Sequence, residues 1–433
     1  MNDKSDGDKW SDYYDTGGDD IFKKVEGFEK LIKREEANTA CIFRRPVMSA
    51  TGARVKVLDP ESGKVREMIM MGSNSYLSLN ASEEVIEASM AAARKYGYGT
   101  GSVSLYSGTT DLHLELERRI AAFYGCEDAI LYPTGYAANV GTISALLRPG
   151  NAAVNDMFNH ASIFDGCLLS GATLQRFAHG RTRQLERILK RNLEKNIGTL
   201  VITDGVFSME GDVAQLDEIC TLAKKFNARV MIDEAHALGV IGPTGRGTAD
   251  LYKLNGQVDV TVGTLSKLPG GIGGYAAGSK AVVDYLRYYA RPFFFSTSIP
   301  APVVAGLIEV FKILEEDSGP REALWRNINY AVVKLKEIGY DVGKSASAII
   351  PIMVGEEATL KQFAVDLHRR GIYMSYVAYP AVPAKRCRMR MSLLAQHSRE
   401  DIDFVLGVLE ELGNKYGILP QNSSGDRKKG NRK

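Results

Sequence analysis

The chain has 433 residues, 45% hydrophobic, 24% charged and 9% aromatic, with 43 Gly and 14 Pro. That composition excludes a wholly disordered or collagen-like chain, and the length predicts a large domain joined to a smaller one. Lys and Arg number 54 against 52 Asp and Glu, a net charge of +2, which gives no bulk electrostatic reason for a nucleic-acid partner.

In chain order, the Asp-rich first residues and a lead-in helix occupy 1–44. Apolar spacing predicts helices over Glu84–Tyr96 and Leu112–Tyr124. Short apolar runs then recur at Ala129–Leu131, Leu200–Ile202, Val230–Ile232 and Val258–Val262, separated by helical stretches such as Leu216–Phe226. Alternation of this kind predicts βα units around a mostly parallel sheet, an α/β fold. From Ala301 the pattern changes to long helices, Val304–Glu316 and Glu322–Ile338, followed by mixed elements. The expected division is therefore a large domain with its N-terminal segment over 45–300, a C-terminal α+β domain over 301–416, and a basic tail over 417–433. No apolar run reaches the roughly 18 residues of a membrane-spanning helix, and the N-terminus lacks an apolar signal-peptide core. Cys41, Cys126, Cys167, Cys220 and Cys387 are too scattered for zinc pairs or a disulfide framework. A cytoplasmic protein with reduced thiols is expected.

Sites in open α/β sheets form at the carboxyl ends of strands. Three such ends carry reactive residues here: Thr203-Asp204-Gly205, Asp233-Glu234-Ala235-His236 and Gly263-Thr264-Leu265-Ser266-Lys267. Singly, each has a plain explanation: Asp233 as a cap, Lys267 as a surface lysine, the glycines after it as a turn, His160 as a structural histidine. Asp233, Glu234 and His236 lack a second histidine pair for a metal. No G-x-x-x-x-G-K-[ST] string exists, and a Ser266-Lys267 hydrolase lacks an evident oxyanion element. Pyridoxal phosphate uses the residues jointly, since it needs a lysine for covalent attachment, a carboxylate for the ring nitrogen, a flat group against the ring and helix N-terminal amides for the phosphate. Lys267 and Asp233 supply the first two, His160 is the candidate stacking group, and Gly135-Tyr136-Ala137-Ala138-Asn139 supplies the amides.

The chain resembles the α-oxoamine synthase family of fold-type-I pyridoxal-phosphate transferases, whose fold is that of aspartate aminotransferase. The strings that carry the resemblance are SNSYLSL (73–79), SGTTDLHLELE (107–117), GYAANVG (135–141), NHASIFDG (159–166), DGVFSMEGD (204–212), DEAHALGVIGPTGRG (233–247), GTLSKLPGGIGGY (263–275), RPFFFSTSIP (291–300) and YPAVPAKRCRMRMS (379–392). The resemblance implies that Lys267 bonds the cofactor and moves the α-proton, Asp233 pairs with the ring nitrogen, and His160 stacks on the ring. It further implies that Ser208 and His236 hydrogen-bond the phenolic oxygen, while Thr264, Gly135 and Tyr136 hold the phosphate. Ser296 matches a hydroxyl that reaches the phosphate from a neighbouring subunit, so a homodimer with shared sites is expected. Asn74 lies in a segment that approaches the substrate from the partner chain, and Arg388 matches the arginine that clamps the amino-acid carboxylate. The implied reaction is a decarboxylative condensation of an amino acid with an acyl-CoA, or an acyl-carrier-protein thioester, giving an α-amino ketone. No metal is implied.

The segment 45–65, LSGAT (169–173) and GYAAGSK (274–280) resemble the serine palmitoyltransferase branch, so serine and a long acyl chain are expected. The alternatives are 8-amino-7-oxononanoate synthase, glycine C-acetyltransferase or a secondary-metabolite synthase. A non-catalytic subunit would lack the lysine, and an ordinary aminotransferase of the same fold is the enzymatic rival. Two positions depart from the pattern: Ser104 stands where most relatives carry Arg, and Leu268-Pro269 follow the lysine.

Overall fold

The computed structural model describes residue 13 and residues 19–37, 42–59 and 62–420. Most of the Asp-rich start and the basic tail from 421 onward lie outside them, as does Cys41. The lead-in helix spans Lys23–Ala37.

Strands form where the short apolar runs lie. In chain order they are β1 (Arg54–Leu58), β2 (Val65–Met70), β3 (Asp128–Tyr132), β4 (Ala152–Asp156), β5 (Thr173–Phe177), β6 (Thr199–Asp204), β7 (Arg229–Asp233), β8 (Val260–Thr264), β9 (Gly274–Gly278), β10 (Ile349–Gly355), β11 (Ile372–Tyr373), β12 (Ser375–Val377) and β13 (Cys387–Ser392). Seven make one sheet in the order β3-β9-β8-β7-β6-β4-β5. Only β9 runs antiparallel to its neighbours; the rest of the ladder is parallel. The mostly parallel sheet agrees with the α/β fold expected from the alternating runs. β4, β6, β8 and β9 are buried along their whole length, as required of a sheet covered on both faces.

Alternation along each strand decides what it packs against. Ile130, Ala153, Ile202, Met231 and Ala276 meet Ile143 and Ile163 from the helices Gly135–Leu146 and Ala161–Ser170. Val154, Val201, Val230 and Ile232 meet Leu185, Leu189 and Ile219. Burying these aliphatic side chains contributes about 1.5–3 kcal/mol each.

Near the C-terminus, β10, β13 and β12 form an antiparallel sheet whose Ile350 and Met389 share a core with Phe363 and Val405 of the helices Glu357–Arg369 and Arg399–Lys415. Two sets of contacts cross the boundary expected from chain order. β1 and β2 pair with each other, and Ile69 of β2 pairs in parallel with Ile372 of β11. The segment expected to belong to the large domain thus completes a sheet with the C-terminal part. Conversely, the helix Ala301–Glu316, expected to open the small domain, lies against Glu83–Tyr96 and Asp111–Tyr124. Strand pairing and helix packing of this kind are not visible to a reading that follows chain order. Among the described residues, no helix is long and apolar enough to cross a membrane.

Candidate active site

The parallel strands place their ends at one edge of the sheet. Asp204 ends β6 and Asp233 ends β7, and the two are register partners. β8 ends at Thr264, and the chain then turns so that Lys267 lies three residues on. A cavity of about 260 Å³ opens at this edge, lined by Gly135, Tyr136, Asn139, His160, Ser162, Asp204, Ser208, Asp233, His236, Thr264 and Lys267 among others. A larger cavity of about 720 Å³ sits at the opposite, amino ends of the strands. Its charged groups already have partners: Arg229 pairs with Asp259 at 2.8 Å, and Glu127 accepts from the Lys280 amide.

Backbone geometry builds the anion end of the smaller cavity. Thr134 caps the helix Gly135–Leu146 by accepting from the Ala137 amide at 3.0 Å. The first amides of this helix have no intrahelical acceptor and carry the positive end of its dipole. A Cβ on Gly135 would stand 2.7 Å from Thr264 Cβ, and one on Gly274 would stand 2.7 Å from Gly135 Cα. Glycine at both positions lets the helix start abut the end of β8.

Hydrogen bonds then tie the carboxylate to the histidine. Asp233 Oδ1 accepts from the Ala235 amide at 2.9 Å, and its Oδ2 from Asn139 Nδ2 at 2.6 Å. Asn139 Nδ2 also donates to Ser162 Oγ at 2.9 Å, and Ser162 Oγ lies 2.7 Å from His160 Nδ1. Because the serine oxygen accepts from Asn139 and the Ser162 amide donates to His160 Nδ1, the serine hydroxyl donates to Nδ1. His160 is therefore a neutral ring with its proton on Nε2. Burial, the largest effect on it, also lowers its pKa.

Charge in the cavity follows burial. Desolvation pulls the Lys267 amine down to about 8, against the opposing pull of Asp233 and Asp204. Asp204 is pushed well above the carboxylate range, first by burial and then by the charge of Asp233. His236 is held well below its ordinary value by burial and by the charges of Lys267 and Arg390, so it too is neutral. Its Nδ1 lies 2.7 Å from the Tyr76 hydroxyl, which is 3.3 Å from Asn74 Oδ1.

Three expected residues stand apart from the cavity lining. Ser296 is half-buried on the segment after β9 and outside the cavity of its own chain. Asn74, expected to act from a partner subunit, is engaged within one chain, accepting from Arg390 Nη1 at 3.1 Å. Arg388 is fully buried, with Nη1 2.7 Å from Glu210 Oε1 and 3.0 Å from Met209 O. That carboxylate pairs with one arm of the guanidinium, while Nη2 is buried without a hydrogen-bond partner. Arg390, on the same face of β13, donates to Ser208 O at 2.7 Å and to Asn74, and its charge acts on Lys267 and His236. The structure thus brings Arg390, which the sequence reading passed over, to the site.

A family profile described as aminotransferase class I and II matches residues 66–409. The chain is 39% identical to 8-amino-7-oxononanoate synthase of Thermoanaerobacter pseudethanolicus over 89% of its own length and 97% of the relative's. It is also 39% identical to 4-hydroxy-2,2'-bipyrrole-5-methanol synthase PigH of a Serratia species, over 94% of this chain and 62% of that protein. Among solved structures, a serine palmitoyltransferase of S. paucimobilis with a bound pyridoxal phosphate–myriocin adduct superposes with a TM-score of 0.87 at 32% identity, covering 92% of this chain and 100% of the other.

The chain belongs to the α-oxoamine synthase family.

It is accordingly an enzyme, a pyridoxal-phosphate-dependent acyltransferase. The residues present fit that cofactor: Lys267 and the buried carboxylate of Asp233 line the same cavity, Asn139 Oδ1 is buried without a hydrogen-bond partner, and the glycine-lined helix start offers amides to a phosphate. Sequence reasoning named Asn139 only for its backbone amide and passed over Arg390 and Tyr76; all three lie inside quoted strings, but the side-chain roles depend on partners far away in sequence, Asp233, Asn74 and His236.

This α-oxoamine synthase carries a second cavity beside the first, about 410 Å³ in volume. The two share His160 and Ser208, and the second is walled mainly by Met157, Phe158, Phe164, Phe207, Met209 and Val382. Of the departures noted in sequence, neither Ser104 nor Leu268-Pro269 lines either cavity. Pro269 sits inside a turn closed by the Gly270 amide donating to Lys267 O at 2.9 Å, where its fixed φ stiffens the chain just after the lysine.

Proposed function

We propose that this enzyme joins a small amino acid, serine, to the acyl group of a thioester with an apolar chain, releasing the thiol and carbon dioxide and leaving an α-amino ketone. The observation that carries the acyl half of this reading is the 410 Å³ cavity opening beside His160. Among the described residues its lining carries one carboxylate, Glu210, and no lysine or arginine. The likeness to serine palmitoyltransferases favours serine.

When bound, pyridoxal phosphate would supply an electron-accepting group that stabilises negative charge at the substrate's α-carbon. Lys267 would anchor it and take the α-proton, a task suited to an amine whose pKa burial has lowered toward neutrality. Asp233, fixed by Asn139 and the Ala235 amide, would keep the ring nitrogen protonated. His160, a neutral imidazole, would stack on the ring, Ser208 and His236 would hydrogen-bond the phenolic oxygen, and Gly135, Tyr136 and Thr264 would hold the phosphate. We assign the amino-acid carboxylate to Arg388 together with its neighbour Arg390: Arg388 is paired with Glu210 through Nη1 but keeps Nη2 buried without a hydrogen-bond partner, a donor that a second carboxylate would satisfy.

A second reading rests on the 39% identity to an 8-amino-7-oxononanoate synthase. That product ends in a carboxylate, and among the side chains lining the apolar cavity such a group would find no lysine or arginine, a costly placement. Turnover of glycine, serine and alanine with acetyl-, pimeloyl- and palmitoyl-CoA, followed by thiol release, separates the readings. Serine with palmitoyl-CoA is expected to dominate, because each buried methylene contributes about 0.8 kcal/mol, roughly fourfold in affinity. Dominance of alanine with pimeloyl-CoA, or of glycine with acetyl-CoA, would replace the reading. In the same assay, Arg390→Ala is expected to raise the serine KM by about 10- to 100-fold with a much smaller effect on the thioester, as befits loss of a charged hydrogen bond.

We also infer a homodimer in which Ser296 reaches the phosphate site of the other copy. Val103 bridges to Thr297, so the exposed rings of Tyr106 and Phe295 flank one region of the surface, a patch suited to burial against a second copy. Light scattering should give twice the chain mass; a monomer with full activity would exclude shared sites.

A further inference from the structure

His179 lies outside both cavity linings, yet it is held from four sides. Its Nδ1 is 3.1 Å from Asp156 Oδ1, and its Nε2 is 2.9 Å from Asp212 Oδ2. Phe158 stacks on one face with ring centres 4.5 Å apart and planes 17° from parallel. Phe207 meets the ring edge-on at 4.4 Å and 78°. With a carboxylate at each nitrogen, both nitrogens must donate, so the ring carries two protons and a positive charge. Burial opposes that charge, but the hydrogen bonds to Asp156 and Asp212 outweigh it and raise the pKa to about 10.

The two carboxylates anchor two different loops. Asp156 ends β4 and also accepts from the Phe158 amide at 2.8 Å, which shapes the turn that leads to His160. Asp212 closes the loop after β6: the Phe207 amide donates to its carbonyl at 3.1 Å, and Val206 bridges to Val213. That loop carries Ser208. Phe158 and Phe207 are themselves walls of the 410 Å³ cavity.

We propose that His179 is a positioning residue for acyl selectivity: clamped between Asp156 and Asp212, it ties the two loops together and holds the rings of Phe158 and Phe207 as the wall against which the acyl chain packs. The inference rests on the acyl reading of that cavity. An uncharged replacement would leave two carboxylates facing each other without a cation, so the loops would separate and the wall would loosen. A long chain loses contact along the whole wall, whereas an acetyl group does not reach it.

The test compares the holoenzyme with His179→Asn, using acyl-CoAs of two to sixteen carbons at saturating serine. In the unaltered enzyme, kcat/KM should rise with chain length. His179→Asn should flatten that rise, raising the palmitoyl-CoA KM by about tenfold or more while the acetyl-CoA KM changes far less. Serine binding, read from the absorbance of the bound cofactor, should move much less than the palmitoyl-CoA KM. Equal losses at every chain length would show a merely structural role and overturn the proposal, as would an unaltered profile. No chain-length dependence in the unaltered enzyme would instead overturn the acyl reading on which it rests. Phe158→Leu covers the case in which His179→Asn does not fold: it leaves the clamp intact and should flatten the same profile. A steep profile retained in Phe158→Leu would remove the wall from the argument.

Discussion

Lys267→Ala is expected to lower turnover by at least about 10³-fold, within the range that a positioned acid–base group supplies. The expectation comes from placement. Lys267 extends from the turn after β8 into a cavity that Asp233 also lines, and among the described residues no hydrogen bond or ion pair engages its amine. An amine that has lost water without gaining a fixed partner is lowered toward neutrality, here to about 8. In that state it can bond a carbonyl carbon and exchange a proton near neutral pH, which a surface lysine does poorly. Alanine removes both capacities while leaving the Thr264 and Gly135 contacts in place. Mass spectrometry after borohydride reduction should find the cofactor attached to the peptide containing Lys267 and, in the variant, to none. Attachment to a different lysine with activity retained would dismiss the assignment.

Asp233→Asn is expected to retain the fold and to lose nearly all turnover. The carboxylate is surrounded by donors, Asn139 Nδ2 and the Ala235 amide, and its negative charge is what holds a proton on a facing ring nitrogen. An asparagine keeps the shape but must turn its own amide hydrogens toward one of those donors or toward the ring. Removing one member of a buried charged pair costs about 3–5 kcal/mol, which corresponds to roughly two to four orders of magnitude in the rate or in cofactor affinity. The balance between those two losses is measurable by titrating the variant with pyridoxal phosphate before the assay. A variant that turns over near the native rate once saturated would show that Asp233 does not control the ring.

Local patterning brought out the candidate site residues. Lys267, Asp233, His160 and Gly135 each lie within a few residues of a strand end or a helix start, so a reading of apolar runs and the turns after them finds them without a structure. The helices Glu83–Tyr96 and Asp111–Tyr124 were likewise legible, because their apolar spacing repeats over several turns. What sequence could not decide depended on distant partners. The period of two in β13 puts Arg388 and Arg390 on one face and cannot tell them apart; Glu210, which pairs with Arg388, and Asn74, which receives Arg390, arrive from other parts of the fold. The pairing of Ile69 with Ile372 ties β2 to a strand of the C-terminal part. His179 had no signature at all, since its charge is set by two aspartates on separate loops that meet only when the sheet has formed. Strand ends and helix starts are properties of neighbouring residues, whereas charge neutralisation and loop closure are properties of groups brought together by folding.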